Sequence, residues 1–143
     1  MRYLSILVSL SILLFAAACT PRAATGFPQG TMVELGEAAE LGPGEVAMVD
    51  GHNGTFTFLG VTNDSRCPKG VTCISAGEAQ ISYQIGTGAP KTLSIPGDIR
   101  TAQRVVSEEV VYNIKGLTPY PKQGKTTEPE DYRLLVSTSL LRD

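Results

Sequence analysis

The chain has 143 residues, 42% hydrophobic and 18% charged, with a formal net charge of −2, three cysteines, one histidine and no tryptophan. A chain of that length makes one domain and can bury a core without metals or many disulfides. The slight acidity, without any run of clustered lysine and arginine, excludes nucleic acid as an expected partner, because such binding rests first on phosphate neutralisation; a polybasic membrane patch is absent too.

The amino terminus sets the compartment. Met1 to Tyr3 carries one positive charge, Leu4 to Phe15 is an apolar run, and Ala16 to Cys19 closes it with small residues and a cysteine. This is the three-part plan of a secretory signal, and the apolar run is short for a spanning helix. The residues before Cys19 resemble the lipobox of bacterial lipoproteins, with Ala16 where that motif has leucine. The resemblance implies a diacylglyceryl group on Cys19, which becomes the mature amino terminus; a plain signal cut after an alanine and an uncleaved anchor are the alternatives. Acyl chains contribute roughly 0.8 kcal/mol per buried methylene, enough for stable anchoring when two or three are present. Thr20 stands where an inner-membrane retention signal has aspartate, which favours the outer membrane if the host has one. The chain thus divides into a signal peptide (residues 1–18), a lipidated cysteine with a flexible tether (residues 19–30), and a folded domain (residues 31–143). The mature net charge becomes −3 once Arg2 is lost with the signal.

Beyond Thr31 the pattern has period two. Thr55 to Val61, Ala79 to Ile85, Val110 to Leu117 and Tyr132 to Leu141 alternate over β-branched and aromatic residues, the signature of half-buried strands. Ala79, Ile81, Tyr83 and Ile85 share one face, as do Tyr132, Leu134, Val136 and Leu140. Turn signals fall between them at Asp50 to Gly54, Gly86 to Pro90, Ile95 to Asp98 and Thr118 to Gly124. Shorter strands at Met32 to Leu35, Val46 to Val49 and Thr92 to Ile95 bring the total to about seven. The expectation is all-β: a small antiparallel sandwich or barrel. Ala102 to Glu109 reads as a short helix, and Lys122 to Asp131 as an exposed loop before the last strand.

The segment Asn63 to Ala79, "NDSRCPKGVTCISAGEA", holds both cysteines left once Cys19 is set aside. In an exported chain such a pair forms a disulfide, here bracing a long connection between two strands. Pro68 and Gly70 suit the turn inside the ring. A redox centre normally has two residues between its cysteines, and a zinc site would need more ligands than His52 supplies. His52 itself reads as an exposed turn residue. Asp50 and Asn53 lack the carboxylate count of a calcium loop. A serine triad would have to use His52, and no G-x-S-x-G elbow exists. Glu108-Glu109 and Glu130-Asp131 read as exposed decoration, because strand neighbours point to opposite faces. Asp64 and Arg66, as i and i+2 in an extended segment, form an ion pair or paired recognition surface, or else Asp64 makes an Asx turn while Arg66 packs its stem across the sheet edge. With Lys69 they make up the candidate binding loop.

Asp64 to Ile81, with Leu117 to Pro121 and Tyr132 to Ser137, resembles a group of bacterial secreted proteins and lipoproteins of unassigned activity. Their pattern is D-S-R-C-P, a second cysteine, A-G and an alternating strand, then a P-Y-P turn and a final strand. The resemblance implies an exported β-rich domain with a Cys67–Cys73 bridge; Ser75 stands where those proteins have tryptophan. The expected function is that of a non-enzymatic cell-envelope lipoprotein without cofactors. It is held to the membrane by its lipid and binds an envelope protein or cell-wall partner through the braced loop. The alternatives are an inhibitor-like module presenting Ser65 to Gly70 to a protease, and an enzyme using His52, Asp64 or Glu78.

Overall fold

A computed structural model describes residues 30–98 and 100–141. The signal segment, Cys19 and most of the expected tether lie outside the described residues. Nine strands are described: β1 (Gly30–Met32), β2 (Ala38–Leu41), β3 (Val46–Met48), β4 (Thr55–Asp64), β5 (Glu78–Ile85), β6 (Lys91–Pro96), β7 (Gln103–Ser107), β8 (Val110–Thr118) and β9 (Arg133–Leu140). They form a five-stranded sheet in the order β1-β3-β4-β5-β6 and a four-stranded sheet in the order β2-β9-β8-β7. All neighbours are antiparallel except β1 and β3. The protein is therefore an all-β sandwich, not a closed barrel.

The period-two pattern works as expected in the long strands. Phe56, Phe58, Ala79, Ile81 and Ile95 of the larger sheet are buried against Leu41, Tyr112, Ile114, Leu134 and Val136 of the smaller one. Each large apolar side chain so buried contributes roughly 1.5–3 kcal/mol relative to exposure. Tyr112 crosses the gap: its ring stacks on Phe56 at 5.3 Å, and its hydroxyl lies 2.8 Å from the Gly54 carbonyl and 3.1 Å from that of Ala47. Burial pushes the Tyr112 phenol up to about 12. Leu140, expected to share the buried face, is exposed, although its register partner Val110 is buried in the core.

Three strands depart from the expectation, the first being β1, which covers Gly30–Met32 in place of the expected Met32 to Leu35 and runs parallel to β3. The stretch expected as a helix, Ala102 to Glu109, holds β7, in which Val105 and Ser107 face inward while Arg104 and Val106 face solvent. Consecutive β-branched valines fit a pleated surface better than a helix, and pairing with β8 in a hairpin decides the matter. Glu108 turns that hairpin with φ of 54°. β2, sequence AAEL, has little intrinsic strand preference and is held by its register with β9, Leu41 opposite Leu134.

The registers define two ends. At one end β4 finishes with Asp64, β5 begins with Glu78, β8 finishes with Thr118 and β9 begins with Arg133. The cysteine segment and the Lys122 to Asp131 loop meet there, and we call it the braced end. The opposite end gathers the 50–54 turn, the β7–β8 hairpin turn and the last residues of β9.

Candidate functional site

β4 extends three residues beyond its expected limit and ends in Asp64. The chain then makes an Asx turn, the Arg66 amide donating to Asp64 Oδ1 at 3.2 Å, which sends the Arg66 side chain inward. Arg66 is only 4% exposed. Its Nε and Nη2 donate to the two Asp64 oxygens at 2.9 and 2.7 Å, a fork geometry that guanidinium and carboxylate match naturally. Nη1 donates to the Leu117 carbonyl at 2.7 Å and Nη2 to that of Pro119 at 3.0 Å. The Tyr132 hydroxyl donates to Asp64 Oδ2 at 3.1 Å, and the Tyr120 ring lies 5.0 Å from the guanidinium carbon.

One charged pair thus ties the larger sheet to the closing loop of the smaller one. Burial alone would raise the Asp64 carboxyl, yet the hydrogen bonds and charge of Arg66 and the Tyr132 hydroxyl outweigh it and hold the pKa below the ordinary aspartate value. Burial, and then the Asp64 charge, push the Tyr132 phenol up.

From this anchor the loop runs outward. The Cys67 amide donates to the Ala76 carbonyl at 2.8 Å, and Cys67 is disulfide-bonded to Cys73. Within the ring Pro68 to Val71 forms a turn with Gly70 at φ of 91°, the left-handed third position that a type II turn reserves for glycine. Gly77 closes the segment at φ of 66°, where a Cβ would run into the Ser65 carbonyl. The loop is also zipped to its neighbour: the Lys69 amide donates to the Pro121 carbonyl at 2.9 Å, and bridges pair Lys69 with Lys122 and Lys122 with Lys125. The Tyr120 hydroxyl donates to the Gly97 carbonyl at 3.2 Å.

Of the three candidate loop residues, Asp64 and Arg66 therefore face inward, their charges matched, and Lys69 alone stands on the surface. Both readings of the Asp64–Arg66 pair hold in part, since the ion pair and the Asx turn coexist. What the loop presents instead is Lys69, Val71 and Ile74, with Ile74 at 109% exposure. Sequence reasoning passes over Val71 and Ile74, although aliphatic residues within and beside a cysteine ring too small to have a core are a readable signal of outward display. Beside the loop, Pro119, Tyr120, Lys122, Lys125, Thr126, Thr127 and Asp131 line a recess of about 110 Å³.

The other sites considered do not converge on this one. His52 lies at the opposite end and is half-buried rather than open, its Nδ1 2.8 Å from Glu109 Oε1, joining the 50–54 turn to the β7–β8 hairpin. It is thereby separated from Asp64 and Glu78 by the length of β4. Glu108 and Glu109 are exposed at that hairpin. Among the described residues no three His, Cys, Asp or Glu side chains gather as metal ligands would. No protein-family model, curated protein or solved structure matches the chain.

Proposed function

We propose that the protein is a non-enzymatic, lipid-anchored component of a bacterial cell envelope whose sandwich binds an envelope partner through its braced end. The observation that supports this reading most is that a loop closed by a disulfide and pinned at its root by a buried ion pair displays an aliphatic residue fully to water. Keeping Ile74 in one exposed position lowers the ordering cost of binding, whereas a loop serving only to connect β4 and β5 gains nothing from it. The apolar amino-terminal run ending at Cys19, and the likeness of the cysteine segment to exported lipoproteins, support the anchor.

Two measurements test the reading. Mass spectrometry of the amino-terminal peptide should find Cys19 acylated. Cross-linking in intact cells should capture a specific neighbour near residues 69–75 of the native chain, which the Ile74→Asp and Cys67→Ser/Cys73→Ser variants lose while still accumulating. A neighbour list unchanged in both variants would sink the assignment of binding to this loop.

A further inference from the structure

We infer that the braced end docks onto an anionic phospholipid surface, with Val71 and Ile74 entering the headgroup boundary and Lys69, Lys122 and Lys125 facing lipid phosphates. The inference rests on the lipid-anchored reading above and narrows its partner to the leaflet that holds the anchor.

Three observations carry it. The first is direction. β1 is parallel to β3 and β3 antiparallel to β4, so β1 points its amino end toward the braced end. Gly30 stands level with Val46, and Val46 with Thr57. From Thr57 to Asp64 is about 23 Å at roughly 3.3 Å per residue. Only ten residues separate Cys19 from Gly30, and they reach at most about 36 Å. A chain continuing the course of β1 to an acylated Cys19 can therefore leave no more than on the order of 10 Å between the braced end and the lipid, a gap that the 65–77 loop, projecting beyond Asp64, can fill.

The second observation is chemistry. Apolar tips at an end that also carries lysines match an interface in which acyl chains lie just beneath anionic headgroups. Three of the chain's five lysines are gathered here, a bridge between the two loops bringing Lys69 to Lys122 and a second bridge pairing Lys122 with Lys125. The third is the contrast with the opposite end, where Glu34, Glu37, Asp50, Glu108 and Glu109 are all exposed and an anionic leaflet would repel them; Lys91 is a cation toward that end, on the far edge. Asp131 lines the recess with Lys122 and Lys125, and Asp98, Glu128 and Glu130 are exposed at the same end, so the three lysines are locally offset. Their pull acts only where they alone face the phosphates, and the aliphatic tips must supply most of the docking.

The absence of tryptophan from the native chain supplies the test. The acylated full-length Ile74→Trp protein is placed in vesicles of phosphatidylglycerol and phosphatidylcholine containing brominated lipid, and the Leu141→Trp protein serves as the probe of the opposite end. The indole emission of Ile74→Trp should be quenched, as for a side chain in the acyl boundary, while that of Leu141→Trp stays bright. Replacing Lys69, Lys122 and Lys125 by glutamine in the Ile74→Trp background should weaken docking about fivefold per lysine and abolish the quenching, with the β-sheet circular dichroism unchanged. Unquenched emission from vesicle-bound Ile74→Trp overturns the docking, as does quenching of Leu141→Trp instead. A blue shift of Ile74→Trp on soluble peptidoglycan fragments, without quenching by bromolipid, would assign the surface to the cell wall and overturn it too. An unmodified Cys19, read from the same preparation by mass spectrometry, overturns the anchor and with it the orientation on which docking depends.

Discussion

Arg66 shows what a single side chain can be asked to do in a sandwich of this size. Removing its charge while keeping its bulk, as in Arg66→Met, leaves Asp64 buried without its partner and the Leu117 and Pro119 carbonyls without donors. Breaking such a pair from one side costs about 3–5 kcal/mol, so the urea midpoint of Arg66→Met should drop accordingly. Arg66→Lys should recover only part of that loss, because an ammonium group cannot span the carboxylate and both carbonyls at once. The sign of the pH dependence follows from the same site. Asp64 has its pKa lowered in the folded chain, so its contribution is present above the ordinary value of 3.8 and is lost as the pH falls through the lowered one. Urea denaturation between neutral pH and about pH 2 should show stability declining below about pH 4, with a shallower decline in Asp64→Asn. Tyr112 acts in the other direction: its phenol is raised from 10.0 to about 12, so its share of stability is complete below the lower value and is lost as the pH rises through the higher one.

Around the loop, covalent and noncovalent braces act on different ends of the same segment. The Cys67–Cys73 bridge closes a sequence separation of six, and opening so short a loop costs about 2 kcal/mol on the chain-entropy model. Because Arg66 and the Lys69–Pro121 hydrogen bond hold the root and middle of the segment independently, Cys67→Ser/Cys73→Ser should keep the sandwich, with unchanged far-ultraviolet circular dichroism and increased proteolysis near Val71 to Ile74. Gly77→Ala should do more damage to the fold than its size implies. Left-handed backbone costs a non-glycine residue about 1–3 kcal/mol, and the added Cβ also meets the Ser65 carbonyl. A thermal melt that left Gly77→Ala as stable as the native chain would refute this account of the loop's closure. Legibility differs among the elements. β4, β5, β8 and β9 are readable because long alternating runs with β-branched residues reveal one face at a time. β7 reads as a helix in isolation, its five residues being too few for period to decide and its partner β8 lying beyond the hairpin. β2 carries no local signal at all.

The whole molecule places its cations and carboxylates unevenly, although the formal charge of −2 hints at little of this. Period-two hydrophobicity is enough to make the chain an all-β protein of about this many strands, since alternation is a property of neighbouring residues. Cysteine arithmetic names the Cys67–Cys73 bridge just as directly, only two thiols being left to pair once Cys19 is set aside. The proposal of export and lipidation likewise rests on a contiguous segment and needs no fold to be stated. The division of polar residues into surface and mortar had to wait for the stacked sheets. Arg66 finds its acceptors 51 and 53 residues away, and Asp64 meets Tyr132 across 68. Lys69 joins Lys122 and Lys125 only because two loops of different sheets close over the same end. Such contacts depend on how the sheets pack, and no local pattern of hydrophobicity carries that information.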